Sequence, residues 1–357
     1  MELKSVYGGK KVFVTGHTGF KGSWLITWLH GLGANVKGYA LAPESGTDLF
    51  HAIKGGELCH SVIADIRDRE KLRQEITSFA PHFIFHLAAQ PLVRYSYDFP
   101  VETFDVNVMG TAHLLDAVRF VKNPCTVVVI TTDKVYHNKE RDYFYKEEDP
   151  LGGYDPYSAS KACTELVVDS YRNSFFNPAS YDKHKKSISS ARAGNVIGGG
   201  DWAKDRIVPD IIRALSAGQP VVVRNPASVR PWQHVLDPLH GYLQLGAHQV
   251  KDPVHFADAY NFGPAMEDKM RVGTLVEKAI AVWGNGKFDT PEQKDAPHEA
   301  GLLQLSIEKA KEKLSWNPAF STDDAIRITV EWYRNNVVEK KDARSLLLQD
   351  INKLRTI

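Results

Sequence analysis

Residues 11–22 read Lys11-Val12-Phe13-Val14-Thr15-Gly16-His17-Thr18-Gly19-Phe20-Lys21-Gly22. The first five predict a short buried strand. The rest predict a glycine-rich turn into a helix over residues 23–32, which Gly33 ends. Glycines in such a turn let backbone approach an anion, and the helix N-terminus offers free N–H groups and the favourable end of the dipole. The spacing is GxxGxxG, not the GxGxxG dinucleotide fingerprint. A P-loop is ruled out because Gly22, not Ser or Thr, follows Lys21. Strand, turn and helix together point to a dinucleotide held by Gly16, His17, Thr18, Gly19, Phe20, Lys21 and Gly22. A tight turn without a ligand is the alternative.

Outward from this unit, strands are predicted at 35–39, 60–64, 83–86, 126–131 and 187–192. Helices are predicted at 69–79, 101–120 and from the Asp155-Pro156 cap onward. This alternation predicts an α/β fold, a Rossmann-type doubly wound parallel sheet with a smaller C-terminal substrate-binding lobe. Past residue 195 the rhythm loosens. A glycine loop at 198–202 precedes helices at 207–215, 273–283 and 322–333, and a short strand at 221–224 lies outside the main sheet. The expected division is 1–194 with 230–260 for the dinucleotide domain, 195–229 with 261–345 for the lobe, and a helix or tail at 346–357.

The 357 residues are 43% hydrophobic and 24% charged, with a net charge of +1. That balance gives no general attraction to nucleic acid or to anionic membrane. No apolar run approaches the roughly 18 residues of a membrane span. The opening residues lack the apolar stretch of a signal peptide. Cys59, Cys125 and Cys163 are odd in number and far apart, which argues for a reducing compartment. The protein reads as cytoplasmic.

Two further segments carry chemistry. Thr131-Thr132-Asp133-Lys134-Val135-Tyr136 follows the apolar run at 126–130, and Tyr157-Ser-Ala-Ser-Lys161 opens a helix with Tyr157 and Lys161 one turn apart. An ammonium about 4 Å from a phenolate is worth up to ~4 kcal/mol at an effective dielectric near 20. That is roughly three pKa units before desolvation opposes it. Hydride transfer needs only the Thr132 hydroxyl, the phenol and the ammonium. Asp133 and Lys134 add a second acid/base pair, suited to moving protons elsewhere on the substrate, as in loss of water. The alternatives are a surface i,i+4 pair and solvated loop charges.

The end of strand two leaves NAD against NADP open, since Glu44 is the nearest acid and Lys37 lies within the strand. Asp65 and Ile66, before Arg67, are placed either to contact adenine or to cap the next helix. His82 and His86 lie in a strand segment, and no HExxH or Cys/His cluster occurs, so no metal site is expected. Arg230, in Arg230-Pro-Trp-Gln-His-Val-Leu-Asp237, is a candidate diphosphate clamp, with Arg206 and Arg224 beside it. Taken singly, each reads first as a surface salt-bridge partner.

These segments resemble extended short-chain dehydrogenase/reductases acting on nucleotide sugars, in the branch of the CDP-glucose 4,6-dehydratases. The resemblance rests on residues 15–23, 86–90, 131–136, 157–161, 192–198 with Asp201-Trp202, and 230–234. The related dTDP-glucose dehydratases carry Glu where Lys134 stands here. The resemblance implies NAD as a tightly held cofactor, CDP-glucose as substrate, and a homodimer joined by the helices near 101–120 and 157–176. By motif position it implies cofactor contacts from Leu87, Ala88, Ala89, Thr131, Tyr157 and Lys161, and sugar-nucleotide contacts from Gln90, Tyr95, Asn195 and Asn261. Tyr157 would deprotonate the 4-hydroxyl with help from Thr132, Lys134 would take the carbon-5 proton, and Asp133 would protonate the departing 6-hydroxyl. A nucleotide-sugar 4-epimerase shares everything except a use for Asp133 and Lys134. A non-catalytic cofactor sensor of the same fold would not need Tyr157 and Lys161.

Overall fold

The computed structural model describes residues 2–43, 46, 48–291 and 302–354. Its main sheet contains β1 (Lys11–Thr15), β2 (Asn35–Ala40), β3 (His60–Ile63), β4 (Phe83–His86), β5 (Cys125–Ile130), β6 (Lys186–Ala193) and β7 (Ala259–Phe262). The order across the sheet is β7-β6-β5-β4-β1-β2-β3, and every neighbouring pair is parallel. Every residue of β5 and β6 is buried, as a sheet covered on both faces requires.

One face is covered by α2 (Arg69–Phe79), α3 (Gly110–Val118) and α4 (Pro156–Ser174), through Leu72, Ile76, Leu114, Leu115 and Val168. The other is covered by α1 (Phe20–Gly31) and α6 (Leu236–Lys251), with α5 (Ile207–Ser216) further out. That core continues without a break into α7 (Thr322–Val337) and α8 (Ala343–Leu354), through Trp316, Trp332 and Leu347. The chain leaves β1 toward β2 on one side and reaches β4 on the other. This reversal opens a crevice at the carboxyl ends of β1 and β4, where such sheets bind ligands.

The structure departs from the sequence-based expectations in three places. α1 starts at Phe20, three residues early, because Gly19 already adopts the extended N-cap conformation. The helix expected over 101–120 is broken by a π-helical turn, Asp105–Met109, between Pro100–Phe104 and α3. The turn points Asn107 inward, where its amide donates to the Gln90 carbonyl (3.1 Å) and Ser160 Oγ (2.8 Å). β7 was not expected as a strand, and a domain boundary between 260 and 261 cuts through it. Glu44 and residues 355–357 lie outside the described residues. Among the described residues, no helix is long and apolar enough to cross a membrane.

A buried carboxyl in the first turn of α6 sets a pH dependence. The Asp237 carboxyl accepts from the Ala319 N–H (2.7 Å, at Oδ1) and from the Phe320 N–H. Burial pushes its pKa up to about 7, against an unfolded value near 3.9. The native state therefore holds this proton longer, and stability falls as pH rises from about 4 to about 7. Asp237→Asn keeps the acceptor and removes the charge, so at pH 8 it should be more stable than the parent by up to ~4 kcal/mol. The gap should narrow toward pH 5 in melting curves. A gap independent of pH would contradict this reading.

Candidate active site

Beyond β5 the chain tightens into one 3₁₀ turn, Asp133–Val135, with Thr132 as its cap. This short turn packs three functional side chains together. The Thr132 hydroxyl donates to Asp133 Oδ1 (2.8 Å), and Lys134 Nζ donates to the same oxygen (3.3 Å). Asp133 is 1% exposed, and its Oδ2 has no partner among the described residues. Opposite, α4 begins at Pro156 and is capped by Asp155, which accepts from the Ser158 N–H and hydroxyl (2.9 and 2.6 Å). The Tyr157 N–H donates to Ser96 Oγ (3.1 Å), which fixes the start of the helix beside the 3₁₀ turn. The Tyr157 phenol meets the Thr132 hydroxyl and faces the charges of Lys134, Asp133 and Arg206.

Burial raises the Tyr157 pKa, against Lys134, the Thr132 hydrogen bond and Arg206, which lower it. The cations acting most strongly on the phenol are thus Lys134 and Arg206. Lys161, expected to tune Tyr157, instead donates to the Ile130 carbonyl (3.0 Å), and burial lowers its pKa to about 8. Lys134 has a raised pKa. Burial and Arg230 oppose this, but the Asp133 carboxylate and Tyr157 outweigh them. Lys21 reaches the same space. Burial, then Arg206 and Lys161, lower its pKa to about 7, with Asp133 and Asp201 pulling back. Lys21, Lys134, Lys161, Arg206 and Arg230 thus surround Asp133 and Asp201, which makes the crevice cationic and suited to a diphosphate.

The glycine turn has two tight positions and one open one. Gly16 has φ 73°, and a Cβ there would lie 2.8 Å from Ala88 N. A Cβ on Gly22 would lie 2.1 Å from the Gly16 carbonyl oxygen. Gly19 is exposed, and a Cβ there would meet only the Gly16 oxygen, at 3.5 Å. No side chain caps α1. Its first N–H groups therefore face an approach that a side chain at residue 19 would fill, which fits a dinucleotide diphosphate.

The chain matches the GDP-mannose 4,6 dehydratase family over residues 13–329. It belongs to that family. It is 50% identical over 331 residues, 93% of this chain and 92% of the relative, to a CDP-glucose 4,6-dehydratase of Salmonella typhimurium. It is 28% identical to a UDP-glucose 4-epimerase of Mycolicibacterium smegmatis, covering 91% of this chain and 99% of the other. Among solved structures, a dTDP-glucose 4,6-dehydratase from Streptomyces venezuelae with NAD and TYD bound superposes with a TM-score of 0.78. The identity is 24%, over 92% of this chain and 98% of the other.

Within this family framework, several residues named from motif position prove to be occupied elsewhere. Asn261 is fully buried. Its Oδ1 accepts from Tyr136 (2.7 Å), and its amide donates to the Tyr145 and Ser306 carbonyls (2.9 and 3.1 Å). It braces the sheet and has no group left for substrate. Gln90 spends its amide on the Leu92 carbonyl and Thr103, and its oxygen on the Leu92 N–H. Tyr95 gives its hydroxyl to Glu102 (3.0 Å). The Thr131 hydroxyl bonds Glu165, in a buried network with Ser190 and Arg192. His17 is buried beneath β2, against Gly38, with Nε2 on Ser61 (2.7 Å), so only its backbone belongs to the turn. Arg224 pairs with Asp205 at the rim (2.8 Å) instead of joining the groups around Tyr157.

Other candidates face the crevice or border it. Thr18 and Phe20 stay in the turn, and Leu87, Ala88 and Ala89 form the half-buried loop after β4. Asn195 has φ 47°, and its side-chain amide has no partner among the described residues. Asp65 is gripped through both oxygens by Arg67, while Asp68 caps α2, so the capping alternative for Asp65 falls away. Ile66 is buried beside Gly110. Asp201, which anchors Arg206 (2.8 Å), was missed as a site residue. Asp201-Trp202 is part of the motif that carries the resemblance, but the sequence gives no sign that Asp201 pairs with Arg206.

Proposed function

We propose that the chain converts CDP-glucose to CDP-4-keto-6-deoxyglucose and water, with NAD as resident cofactor. The Asp133–Lys134 pair beside Thr132 and Tyr157 carries this reading, because oxidation or epimerisation at carbon 4 has no use for it. The open face at Gly19, the α1 N-terminus and Lys161 would hold NAD, with Asp65 and Ile66 near the adenine. Lys37, the basic group within β2, is tied to Glu75 and so is not available to an NADP phosphate. Bound NAD supplies a reversible hydride acceptor and, when oxidised, a positive charge.

Tyr157 takes the 4-hydroxyl proton as carbon 4 is oxidised, with Thr132 bonded to the same oxygen. The resting Lys134 ammonium and Asp133 carboxylate are the reverse of what elimination needs. One proton passed across their 3.3 Å hydrogen bond creates a neutral amine and a carboxylic acid with no change in net charge. Lys134 then removes the carbon-5 proton, made acidic by the 4-ketone. Asp133 protonates the leaving 6-hydroxyl; as carbon 6 takes the hydride back, the Lys134 ammonium would return a proton to carbon 5, and the proton held by Tyr157 would restore the ion pair. Arg206, Arg230 and Asn195 hold the diphosphate and sugar.

Further support concerns assembly and location. Val101 (81% exposed) and Leu166 (58%) are large apolar side chains at the surface of the helices expected to join two subunits, consistent with a homodimer. Three free cysteines accord with a cytoplasmic protein. Incubation with CDP-, dTDP-, UDP- and GDP-glucose under matched conditions tests the substrate. CDP-glucose should be consumed fastest, with a product lighter by one water. Preference for another nucleotide would overturn the CDP assignment, and a product of unchanged mass would overturn the dehydratase.

A further inference from the structure

A small cavity lies behind Asp133, on the side away from Thr132. Asp133, Gly194, Gln233 and Gln304 line it, with Phe144 and Ala265 among its apolar walls. The space open to the centre of a water molecule is about 20 Å³. One water needs roughly 10–15 Å³. Three buried acceptors belong to its lining and have no partner among the described residues: Asp133 Oδ2, Gln233 Oε1 and Gln304 Oε1.

The orientation of both glutamines is fixed by what their amide nitrogens bond. Gln233 donates to the Gly194 and Phe262 carbonyls (3.1 and 2.9 Å), and Gln304 donates to Asp142 Oδ1 (3.0 Å). Their carbonyl ends are what remain. Asp133 Oδ1 is likewise taken by Thr132 and Lys134, leaving Oδ2. A Cβ on Gly194 would lie 2.0 Å from Oδ2, so only glycine keeps that oxygen clear. Buried acceptors without donors are costly, and a small molecule that brings two hydrogens relieves that cost. Asp133 is paired with Lys134, and the other charged residues of the lining, Asp268 and Lys269, are of opposite sign, so a neutral donor suits the site.

We propose that this cavity is a water site, and that the water expelled from carbon 6 enters it by exchange with the resident water. The proposal rests on the dehydratase reading above. In the elimination the C6–O bond breaks, and the leaving oxygen takes the Asp133 proton, giving neutral water and a carboxylate. The water hydrogens are then accepted in the cavity by Gln233 and Gln304. Holding the water there keeps it from adding back to the carbon-5,6 double bond, which the 4-ketone makes electrophilic. Gln233 and Gln304 are positioning residues, since neither needs to touch the sugar.

The test is a high-resolution crystal structure of the wild-type holoenzyme, together with single-turnover absorbance of reduced nicotinamide in wild type and Gln304→Met. The structure should show an ordered water bonded to Asp133 Oδ2 and at least one glutamine oxygen. Gln304→Met should form reduced nicotinamide at the wild-type rate and lose it about tenfold more slowly, as expected for one lost hydrogen bond. Ala265→Leu fills the cavity from its half-buried wall and should give the same slow decay if Gln304→Met does not fold. A dry cavity in the wild type, or unaltered decay in a folded variant, overturns the proposal. If wild-type enzyme releases no water from CDP-glucose, the dehydratase reading fails instead.

Discussion

Tyr157→Phe should reduce turnover by about 10²–10⁴-fold, the range for removing a positioned general base. The phenolic oxygen is the atom that meets Thr132, where the 4-hydroxyl would sit. The fold should survive the change. The Tyr157 contact with Ser96 is made by the backbone N–H, and the cap on Asp155 does not involve the phenol. Circular dichroism and melting should therefore match the parent while steady-state turnover collapses. A folded Tyr157→Phe protein with near-native turnover would remove Tyr157 from the chemistry.

Lys134→Met should produce a different failure. Carbon 4 should still be oxidised, although more slowly, because Lys134 helps to lower the Tyr157 pKa. Elimination should then stall, again by about 10²–10⁴-fold. Reduced nicotinamide should accumulate and be visible by its absorbance, and exchange of the carbon-5 hydrogen with solvent should cease. The variant also strips Asp133 of its ion pair, so the acid and the base are lost together. Wild-type elimination and exchange in Lys134→Met would assign the carbon-5 base to another group and leave Lys134 as an electrostatic partner of Asp133.

The parts of this site that were legible in the sequence are those built from contiguous residues. The turn at 16–22, the 3₁₀ turn after β5 and the Asp155 cap are each short enough for residue type to fix local geometry. The hydrogen bonds that hold Asn261, Gln90 and Tyr95 were not legible, because a polar side chain does not announce its partner. Asn261 is claimed by Tyr136, 125 residues away, and by Tyr145 and Ser306. The tuning of Tyr157 was misjudged for the same reason. Spacing on the helix pointed to Lys161, but folding turns that ammonium to the Ile130 carbonyl and brings Lys134 and Arg206 to the phenol. β7 was invisible because it is four residues long and becomes a strand only by pairing with β6. The π turn in the helix before α3 depends on hydrogen bonds to Asn107 from segments before and after it.

The most direct test of the account is turnover of CDP-glucose in heavy water, with the product examined by mass spectrometry and NMR. The account predicts a 6-deoxy-4-keto sugar that has lost one water and carries a single deuterium at carbon 5. An epimerised hexose of unchanged oxygen content, or a dehydrated product with no deuterium at carbon 5, would contradict it.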